Sequence, residues 1–556
     1  MGLLGRRWLG VVSLLGLALL YAAVLTLGDV RAHSGSDAGG KAATARAMAS
    51  TDPINRTADL GYWAAPVDSL GTHHPIVNTT ARSNGTWVQA TSLPFSLASA
   101  WLWDWGGASG AILFPVVGGL LAAWSARRLA RNLGATPLAA KAAFWLVGAV
   151  GPVAFYATDL WEHAPAAGLI LAFASVLVAP KGRLDAGLAG LAAGAAVVLR
   201  AETALVLLGL GVATLLVPAI RDQWLRKPIR VLFGGLGVAI PVGGNLLLEQ
   251  SYLGGDLRGA RAASLASGAA SQLGSRLRDA ALETGGPFAD DRAIGAISGG
   301  LLVLCALVLA AVALGRWNPP GIVVRLAVVL GSALYLGRFL MGLGFVPGMV
   351  AVAPLAAAGL VAGLRRAGAD PGRQVVSLGA AISIPLIWIL QWQGNHAAQW
   401  GGRYLLSSGA LLVVVGTVAV FEQPVPVLYR RAMIGLSVLV GVMGLAWHIQ
   451  RTNQVGRAFD VFAALPAETT VVSTEPNLLR EGGSWYDDGR WLTVSNPEKD
   501  LFGPTGLAET LQLRSIALVV DPRFTPELAG TGFTVTEKRS LDLPGETLQM
   551  LVLRRR

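Results

Sequence analysis

The dominant pattern of this chain is a series of long apolar runs, separated by short links that are charged or rich in proline and glycine. A run of about 17 to 25 mostly apolar residues is long enough to cross a bilayer as a helix. About thirteen such runs can be counted, which predicts a polytopic α-helical membrane protein. Their ranges are 8–27, 108–126, 138–157, 164–180, 184–199, 203–219, 230–248, 294–315, 322–340, 348–364, 375–393, 404–421 and 432–449.

The basic residues predict how these runs are oriented. The first run begins like a signal peptide, but it is long enough to span the membrane and no small-residue cleavage motif follows it. We therefore interpret it as an uncleaved first helix with a cytoplasmic N-terminus. Every later link predicted to return to the cytoplasm then carries a basic cluster, such as Arg127–Arg128 or Arg430–Arg431, as the positive-inside bias requires.

Three polar segments remain outside the membrane in this arrangement. They are the first loop at 28–107, a second loop at 249–293 and the tail at 450–556. In the first loop, the alanine-rich stretch after Asp37 and the tryptophan-rich stretch after Pro94 predict helices that lie along the outer membrane surface.

The C-terminal tail has the pattern of a small soluble α/β domain. Apolar, β-branched residues predict strands at 469–474, 515–522 and 548–555, and a short helix is predicted at 507–514. The fold class is therefore a membrane-embedded helical part, residues 1–449, followed by an extracytoplasmic α/β domain, residues 450–556.

Composition supports this fold class and excludes several functions. The chain is 53% hydrophobic and only 14% charged, with a mean hydropathy of +0.55. Its net charge of +11 arises mostly in the links, which indicates contact with anionic lipid headgroups rather than nucleic acid. The single cysteine excludes an internal disulfide, and ATP-binding, serine-hydrolase and common zinc motifs are missing from the sequence.

Ionisable residues near the ends of membrane spans are costly to keep and are therefore the first candidates for a site. Asp37 precedes a helix-like run, with Lys41 one turn later. One interpretation is a helix N-cap with an i,i+4 ion pair. The other is a carboxylate that takes a proton from an acceptor hydroxyl. A capped helix start would also hold such a carboxylate in place.

A second group of candidates follows the third predicted span. Asp159, Glu162 and His163 are three and four residues apart, so on a helix they would share one face. A metal site there is conceivable but weakly indicated, and polar residues that simply end a helix explain the pattern as well.

Arginines form the third group. Arg200 and Glu202 interrupt an apolar stretch, Arg338 lies in the outer half of its span, and Arg403–Tyr404 begins the next-to-last span. Each arginine alone is explained by snorkelling toward the interface. Guanidinium groups also bind phosphate oxygens in bidentate fashion, so several on one face favour a phosphate site.

The arrangement resembles the GT-C superfamily of membrane glycosyltransferases, which includes protein O-mannosyltransferases and aminoarabinose transferases. The segments that carry the resemblance are GSDAGGKAATARAMA, FYATDLWEHAPAAGLILA, GLAGLAAGAAVVLRAE and QWGGRYLL. The resemblance implies a polyprenyl-phosphate sugar donor, a catalytic base at Asp37 and a donor phosphate held by Arg338 and Arg403, with Arg200 assisting. The family often has a second acid beside the first. Here Ala38 follows Asp37, and Asp29 is the alternative base.

Together with these residues, the resemblance implies an enzyme that moves a sugar from a polyprenyl-phosphate donor to a glycan, lipid or protein of the cell envelope. One displacement inverts the anomeric carbon, and arginines stabilise the leaving phosphate without a metal or other cofactor, although a divalent ion stays possible. Residues expected to support the site or bind the acceptor are Lys41, Asp159, Glu162, His163 and Tyr404. The alternatives are a flippase for lipid-linked glycans and an envelope scaffold. The large polar first loop and the lack of an internal repeat favour catalysis.

Overall fold

The computed structural model describes residues 3–51, 56–76, 79–81, 85–89, 91–253, 273–286, 292–340, 348–363, 370–390, 400–503, 505–543 and 546–556. Most of these residues are helical, as the apolar runs predict. The helices are α1 Leu3–Leu27, α2 Ser36–Ala49, α3 Leu93–Ala111, α4 Leu113–Asn132, α5 Pro137–Gly148, α6 Pro152–Ala157, α7 His163–Val178, α8 Arg183–Leu199, α9 Thr203–Leu216, α10 Pro218–Leu225, α11 Pro228–Leu253, α12 Leu273–Gly285, α13 Arg292–Ala313, α14 Gly321–Leu340, α15 Met349–Val352, α16 Leu355–Gly363, α17 Pro371–Leu390, α18 Leu406–Glu422, α19 Val427–Ala463, α20 Pro476–Glu481, α21 Pro497–Asp500 and α22 Leu507–Thr510.

Six helices of the described chain are long and apolar enough to cross a membrane, or up to eight if the bent pairs α3–α4 and α9–α10 each count as one span. Every predicted run contains helix, but several runs are broken. The run at 138–157, for example, divides into α5 and α6, and the run at 348–364 divides into α15 and α16. Membrane-spanning helices are therefore present, while their number of about thirteen and their orientation stay predictions.

The chain divides into two compact units. The helical unit comprises Met1–Ala22, Pro115–Thr158 and Glu162–Leu445, and the sheet unit comprises Ala23–Phe114, Asp159–Trp161 and Ala446–Arg556. The predicted first loop and the predicted tail thus fall in the same unit by their contacts.

Small residues allow the backbones of the helical unit to approach closely. A Cβ atom on Gly190 of α8 would lie 2.1 Å from the Gly234 carbonyl oxygen of α11, and one on Gly359 of α16 would lie 2.1 Å from the Leu412 carbonyl oxygen of α18. Helices in a bilayer gain little from hydrophobic burial against each other, so close packing of this kind replaces it. The abundance of glycine within the apolar runs is explained by these contacts.

The sheet unit contains a five-stranded mixed sheet and a small hairpin. The hairpin pairs β1 Thr79–Ala81 with β2 Trp87–Gln89. The larger sheet consists of β3 Thr469–Ser473, β4 Arg490–Thr493, β5 Ser515–Val520, β6 Phe533–Leu543 and β7 Glu546–Arg555, in the order β4-β3-β5-β7-β6. The sequence predicts β3, β5, β7 and α22, and the structure contains all four. The short β4 and the mostly polar β6 are not predicted.

Both faces of this sheet are covered, which the continuous apolar runs of the central strands require. Ile516 and Leu518 of β5 point into one core, while Ala517 and Val519 point into the other. The second core includes residues of α2 and of the C-terminal end of α19. The alanine-rich helix of the first loop is therefore a buried structural element of the sheet unit.

The tryptophan-rich stretch forms α3, whose Trp101 and Trp105 side chains are exposed. Its placement along the membrane surface stays a prediction.

Candidate functional site

Asp37 lies in the first turn of α2, one residue after the helix begins at Ser36. The prediction that Asp37 is the N-cap is wrong, because Gly35 occupies that position and no side chain caps the helix. The aspartate is nevertheless well placed, since the positive end of the helix macrodipole stabilises a carboxylate in the first turn. Asp37 is half-buried and interacts with Arg480 of α20. Burial lowers the pKa of Arg480, and the Asp37 charge acts against that shift.

Lys41 is buried one turn after Asp37. Its Nζ atom lies 4.2 Å from the ring centroid of Trp161, which is itself buried. A cation over an indole face is favourable, and more so away from water. The Lys41 ammonium therefore ties α2 to the segment Asp159–Trp161, which is part of the same unit.

Asp159 is the centre of a buried hydrogen-bond network. Its Oδ1 atom accepts from His33 Nδ1 at 2.7 Å and from the Leu160 backbone N–H at 2.7 Å. Its Oδ2 atom accepts from the Ser34 backbone N–H at 2.9 Å and from Ser34 Oγ at 2.7 Å. The network continues through two further contacts: His33 Nε2 lies 3.1 Å from Ser484 Oγ, and His448 Nδ1 lies 2.9 Å from Ser34 Oγ. We refer to Asp159, His33, Ser34, His448 and Ser484 as the Asp159 network.

The charge of Asp159 is stabilised by these donors. Burial alone raises the pKa of this carboxyl, but the hydrogen bond and charge of His33, the charge of His448 and the Ser34 N–H outweigh burial and lower the pKa below its usual range. A carboxylate that accepts several hydrogen bonds behaves in this way. The network holds residues 33 and 34 immediately before α2, so it fixes the chain that leads to Asp37.

The prediction that Asp159, Glu162 and His163 share a helix face is wrong. Helix α6 ends at Ala157 and α7 begins at His163, so the chain between them is not helical. Asp159 belongs to the sheet unit, whereas Glu162 and His163 belong to the helical unit. Spacing of three or four residues brings side chains together only where the helix is continuous.

The helical unit contains a second group of buried charges, which we call the arginine cluster: Arg200, Arg403, Tyr404, Glu162, Glu202 and Glu283. Helix termini position several of them. Arg200 follows the last residue of α8, while Glu162 and Glu202 directly precede α7 and α9. The macrodipole favours a cation at a helix C-terminus and an anion at an N-terminus, so each charge stands at the end that stabilises it.

Arg200 joins the two glutamates. Its Nη1 atom donates to Glu162 Oε1 at 2.9 Å and its Nε atom donates to Glu202 Oε1 at 2.7 Å. The same guanidinium lies 5.4 Å from the ring centroid of Tyr404, and that of Arg403 lies 4.7 Å from this ring. Arg403 Nη2 also donates to the Tyr404 hydroxyl at 3.0 Å. Two guanidinium groups therefore contact a single aromatic ring.

Glycine is required immediately before Arg403. Gly401 and Gly402 have φ angles of +69° and +68°, and a 3-10 turn begins at Arg403. These angles favour glycine strongly. A Cβ atom on Gly402 would also lie 2.4 Å from the Glu283 carbonyl oxygen. The glycine pair thus brings Arg403 next to α12, which carries Glu283.

Glu283 is the member of the cluster that sequence reasoning missed. It is 1% exposed, and neither of its carboxyl oxygens has a hydrogen-bond partner within the described part of the chain. Burial raises the pKa of Glu283 to about 8, although Arg403 acts in the opposite direction. A glutamate with this pKa is mostly protonated at neutral pH.

Four aromatic side chains of the helical unit, those of Phe155, Tyr156, His163 and Trp400, pack in two stacked pairs. The Tyr156 hydroxyl donates to the Trp400 carbonyl oxygen at 2.8 Å, and the Tyr156 ring stacks on His163 with centroids 4.9 Å apart. Phe155 stacks on Trp400 at 5.8 Å. His163 is therefore placed in an aromatic stack, and its predicted role in binding the acceptor stays a prediction.

The remaining predicted site residues are placed as follows. Arg338 is in the last turns of α14, but its side chain lies outside the described part of the chain. Asp29, the alternative base, pairs with Arg31 at 2.9 Å. Asp37 falls in one unit and Arg200 and Arg403 fall in the other. The expectation that they face a common cavity stays a prediction.

Sequence reasoning also missed residues of the sheet unit. His33 and Ser34 precede Asp159 by 126 and 125 residues, and His448 follows Ser34 by 414 residues. No sequence spacing connects residues so far apart. The available signal was weak: a histidine and a serine directly preceding the predicted helix of Asp37. Glu283 lay in a long polar loop among several other acids.

No protein-family model and no curated protein sequence matches the chain. Several solved structures resemble its fold. ArnT from Cupriavidus metallidurans bound to undecaprenyl phosphate is 15% identical, with a TM-score of 0.42 and coverage of 99% of this chain and 98% of that one. An oligosaccharyltransferase from Archaeoglobus fulgidus in the apo form is 12% identical, with a TM-score of 0.48 and coverage of 93% and 70%. The same archaeon's AglB with an inhibitory peptide and a dolichol-phosphate is 12% identical, with a TM-score of 0.44 and coverage of 92% and 69%.

At such low identities and TM-scores, function has to be argued from the residues of the chain itself.

Proposed function

We propose that this chain is an integral-membrane glycosyltransferase that transfers a sugar from a polyprenyl-phosphate donor to a glycan, lipid or protein of the cell envelope, at the outer face of the membrane. The observation that carries the proposal is the arginine cluster, in which two guanidinium groups, one tyrosine ring and three glutamates are gathered in a membrane protein. Keeping so many ionisable groups away from water is costly, and such groups mark functional sites in membrane proteins.

The chemistry of the cluster suits a sugar phosphate. Glu202 Oε2 and both carboxyl oxygens of Glu283 accept no hydrogen bond from the residues that the structure describes. Sugar hydroxyls are donors that such oxygens can bind, and guanidinium groups are the cations best shaped for phosphate. A ligand with several hydroxyls and one phosphate therefore satisfies both kinds of group.

The two arginines have different parts in this proposal. Arg200 already binds Glu162 and Glu202, so it holds these carboxylates in position beside the sugar. Arg403 lies over the tyrosine ring and interacts electrostatically with Glu283, and its part is to bind the donor phosphate. Arg338, which the sequence names as a ligand of the donor phosphate, is kept in the proposal as the second such ligand. As the sugar leaves, negative charge develops on the phosphate, and a fixed guanidinium stabilises that charge without reorganisation.

Asp37 is proposed as the base that accepts the proton of the acceptor hydroxyl. Its half-buried carboxylate lies in the first turn of α2, at the positive end of the helix macrodipole, and interacts with Arg480. Lys41, Asp159 and the residues around them hold α2 in place. The deprotonated hydroxyl displaces the phosphate in one step, which inverts the anomeric carbon and requires no covalent intermediate.

The test is transfer by purified protein in lipid vesicles, with labelled polyprenyl-phosphate sugars and envelope extracts as donor and acceptor pools. Asp37→Asn is expected to lower the transfer rate by about 10²-fold or more, the typical loss of a general base. Asp460→Asn is the matched control, because this aspartate of the same unit is exposed. Undiminished transfer by Asp37→Asn would remove Asp37 from the proposed role.

Absence of transfer with every donor would contradict the glycosyltransferase proposal. Movement of a lipid-linked glycan across the vesicle bilayer under the same conditions would then favour a flippase.

A further inference from the structure

Glu283 is the most deeply buried acid of the arginine cluster, and its protonation state has a consequence for the chemistry proposed above. Its helix, α12, packs against α13, α15, α17 and the turn that begins at Arg403. Gly402 lies against the Glu283 carbonyl oxygen and, at 2.8 Å from a built Cβ, against Oε2. The carboxyl group therefore lies close to the Gly402 backbone, while neither of its oxygens has a hydrogen-bond partner within the described part of the chain.

Among the residues that the structure describes, Glu283 interacts electrostatically with Arg403, Arg200, Glu202 and Tyr156. On its own helix, the Arg276 guanidinium is directed elsewhere and donates to the Ile389 carbonyl oxygen.

The charges of the arginine cluster balance only while Glu283 holds its proton. Arg200 and Arg403 contribute two positive charges, and Glu162 and Glu202 contribute two negative charges. An ionised Glu283 would add a third negative charge to this buried cluster, and that charge would repel the donor phosphate. Its protonated form instead offers one O–H donor, which a phosphate oxygen can accept.

We propose that Glu283 is the proton donor to the phosphate oxygen that leaves the sugar, a step that rests on the function proposed above. The bond between the anomeric carbon and this oxygen breaks, and its electron pair stays on the oxygen. That oxygen takes the proton of the Glu283 carboxyl, while the acceptor hydroxyl forms the new bond to carbon and gives its own proton to the base. Glu283 becomes a carboxylate and regains a proton from water before the next turnover.

This role predicts that both the affinity for the lipid phosphate and the rate of transfer decrease at basic pH. Because burial raises the pKa of Glu283 to about 8, the acid is available at neutral pH and is lost as the pH rises through that value. A phosphate monoester is already largely dianionic in that range, since its second pKa is about 6. Loss of affinity above pH 8 therefore reports the protein group and not the ligand.

The first experiment measures binding of undecaprenyl phosphate to the full-length protein in detergent micelles, by titration calorimetry from pH 6.5 to 9.5. Wild type is expected to lose about tenfold in affinity per pH unit above pH 8, with proton uptake on binding, as linkage to one group requires. Glu283→Gln keeps a hydrogen-bond donor but has no titrating proton, so its affinity should be independent of pH in this range. Glu468→Gln, at an exposed position, should behave as wild type.

The second experiment measures the rate of a single turnover with the labelled donor pool. The wild-type rate should fall above pH 8. Glu283→Gln should be slower by about 10²-fold at pH 7, and its rate should not fall further above pH 8. A melting temperature of the variant close to that of wild type would show that the loss is not caused by unfolding.

The outcomes separate this inference from the function on which it rests. Wild-type protein that binds no undecaprenyl phosphate at any pH would contradict the lipid-phosphate donor itself. If Glu283→Gln loses affinity above pH 8 as wild type does, only the role of Glu283 is overturned. An unchanged single-turnover rate in that variant would have the same meaning.

Discussion

Replacing Asp159 with asparagine tests whether the buried network holds the chain ahead of α2. The Asp159 side chain is 1% exposed and accepts four hydrogen bonds of 2.7 to 2.9 Å, two at each oxygen. Asparagine has the same shape but carries an oxygen at only one of these positions. Whichever way its amide is turned, the NH₂ group faces a backbone N–H, of Ser34 or of Leu160, that then has no acceptor.

The expected cost follows from these contacts. A buried donor without a partner costs about 1–3 kcal/mol, and loss of the negative charge weakens the other hydrogen bonds by a further ~1–2 kcal/mol. The total of about 2–5 kcal/mol overlaps the ~3–5 kcal/mol found when one partner of a buried ion pair is removed. The variant should therefore unfold at a clearly lower temperature than wild type.

The assay is thermal and denaturant unfolding in detergent micelles, followed by tryptophan fluorescence, with Asp460→Asn as the control. Asp460 makes only a 3.5 Å contact to Arg31 and is exposed, so its replacement should change stability by less than about 0.5 kcal/mol. Equal, small losses in the two variants would refute the proposed importance of the network.

The pH dependence gives an independent check of the same prediction. The folded-state pKa of Asp159 is lowered, so its stabilising contribution is present above the unfolded pKa of about 4 and is lost as the pH falls toward the folded value. The difference in stability between wild type and Asp159→Asn should therefore narrow below pH 4. A difference that stays constant on acidification would mean that the charge of Asp159 is unimportant.

Three further predictions concern other buried contacts, each measured by thermal unfolding in detergent. Gly39→Ala should destabilise by ~1–3 kcal/mol, because its Cβ would lie 1.7 Å from a carbonyl oxygen of α20. Gly235→Ala meets nothing within 4 Å and should not destabilise, since alanine is the better helix former inside α11. Arg200→Met should cost about 3–5 kcal/mol by leaving two buried carboxylates without their cation, in contrast to Arg226→Met at an exposed position. Burial raises the pKa of Glu481 to about 7, so stability is lost as the pH rises from about 4 through 7, and Glu481→Gln should remove that decline. An unchanged decline in this last variant would assign it to another group.

Local patterns were sufficient for most elements of the fold. The break at Arg200 and Glu202 was predicted because two charges within an apolar stretch cannot continue a lipid-facing helix, and α8 indeed ends at Leu199 while α9 begins at Thr203. Strands β3 and β5 were predicted because both their faces are apolar, which is typical of central strands. Strand β6 was not predicted, since it owes its place to pairing with β7 and not to its own mostly polar residues.

The candidate site was predictable only as a set of residue types. Arg200, Arg403 and Tyr404 were named as candidates because charge near the end of a membrane span is costly, and the structure brings these three together around one ring. Glu283 carried no such signal, because an acid in a polar loop is ordinary until the fold buries it. The spacing of Asp159 and Glu162 suggested a shared helix face, which failed since the chain bends between α6 and α7.

The sequence by itself determined that the chain has membrane-spanning helices, where most helices and central strands lie, and which charged residues are too costly to be incidental. These properties depend on local composition and periodicity, which each segment carries alone. Only the tertiary structure decided that His33, Ser34 and His448 converge on Asp159, that α2 is buried against the sheet, and that Glu283 is buried near Arg403. Burial and distance between remote residues set these features, and both exist only once the chain has folded.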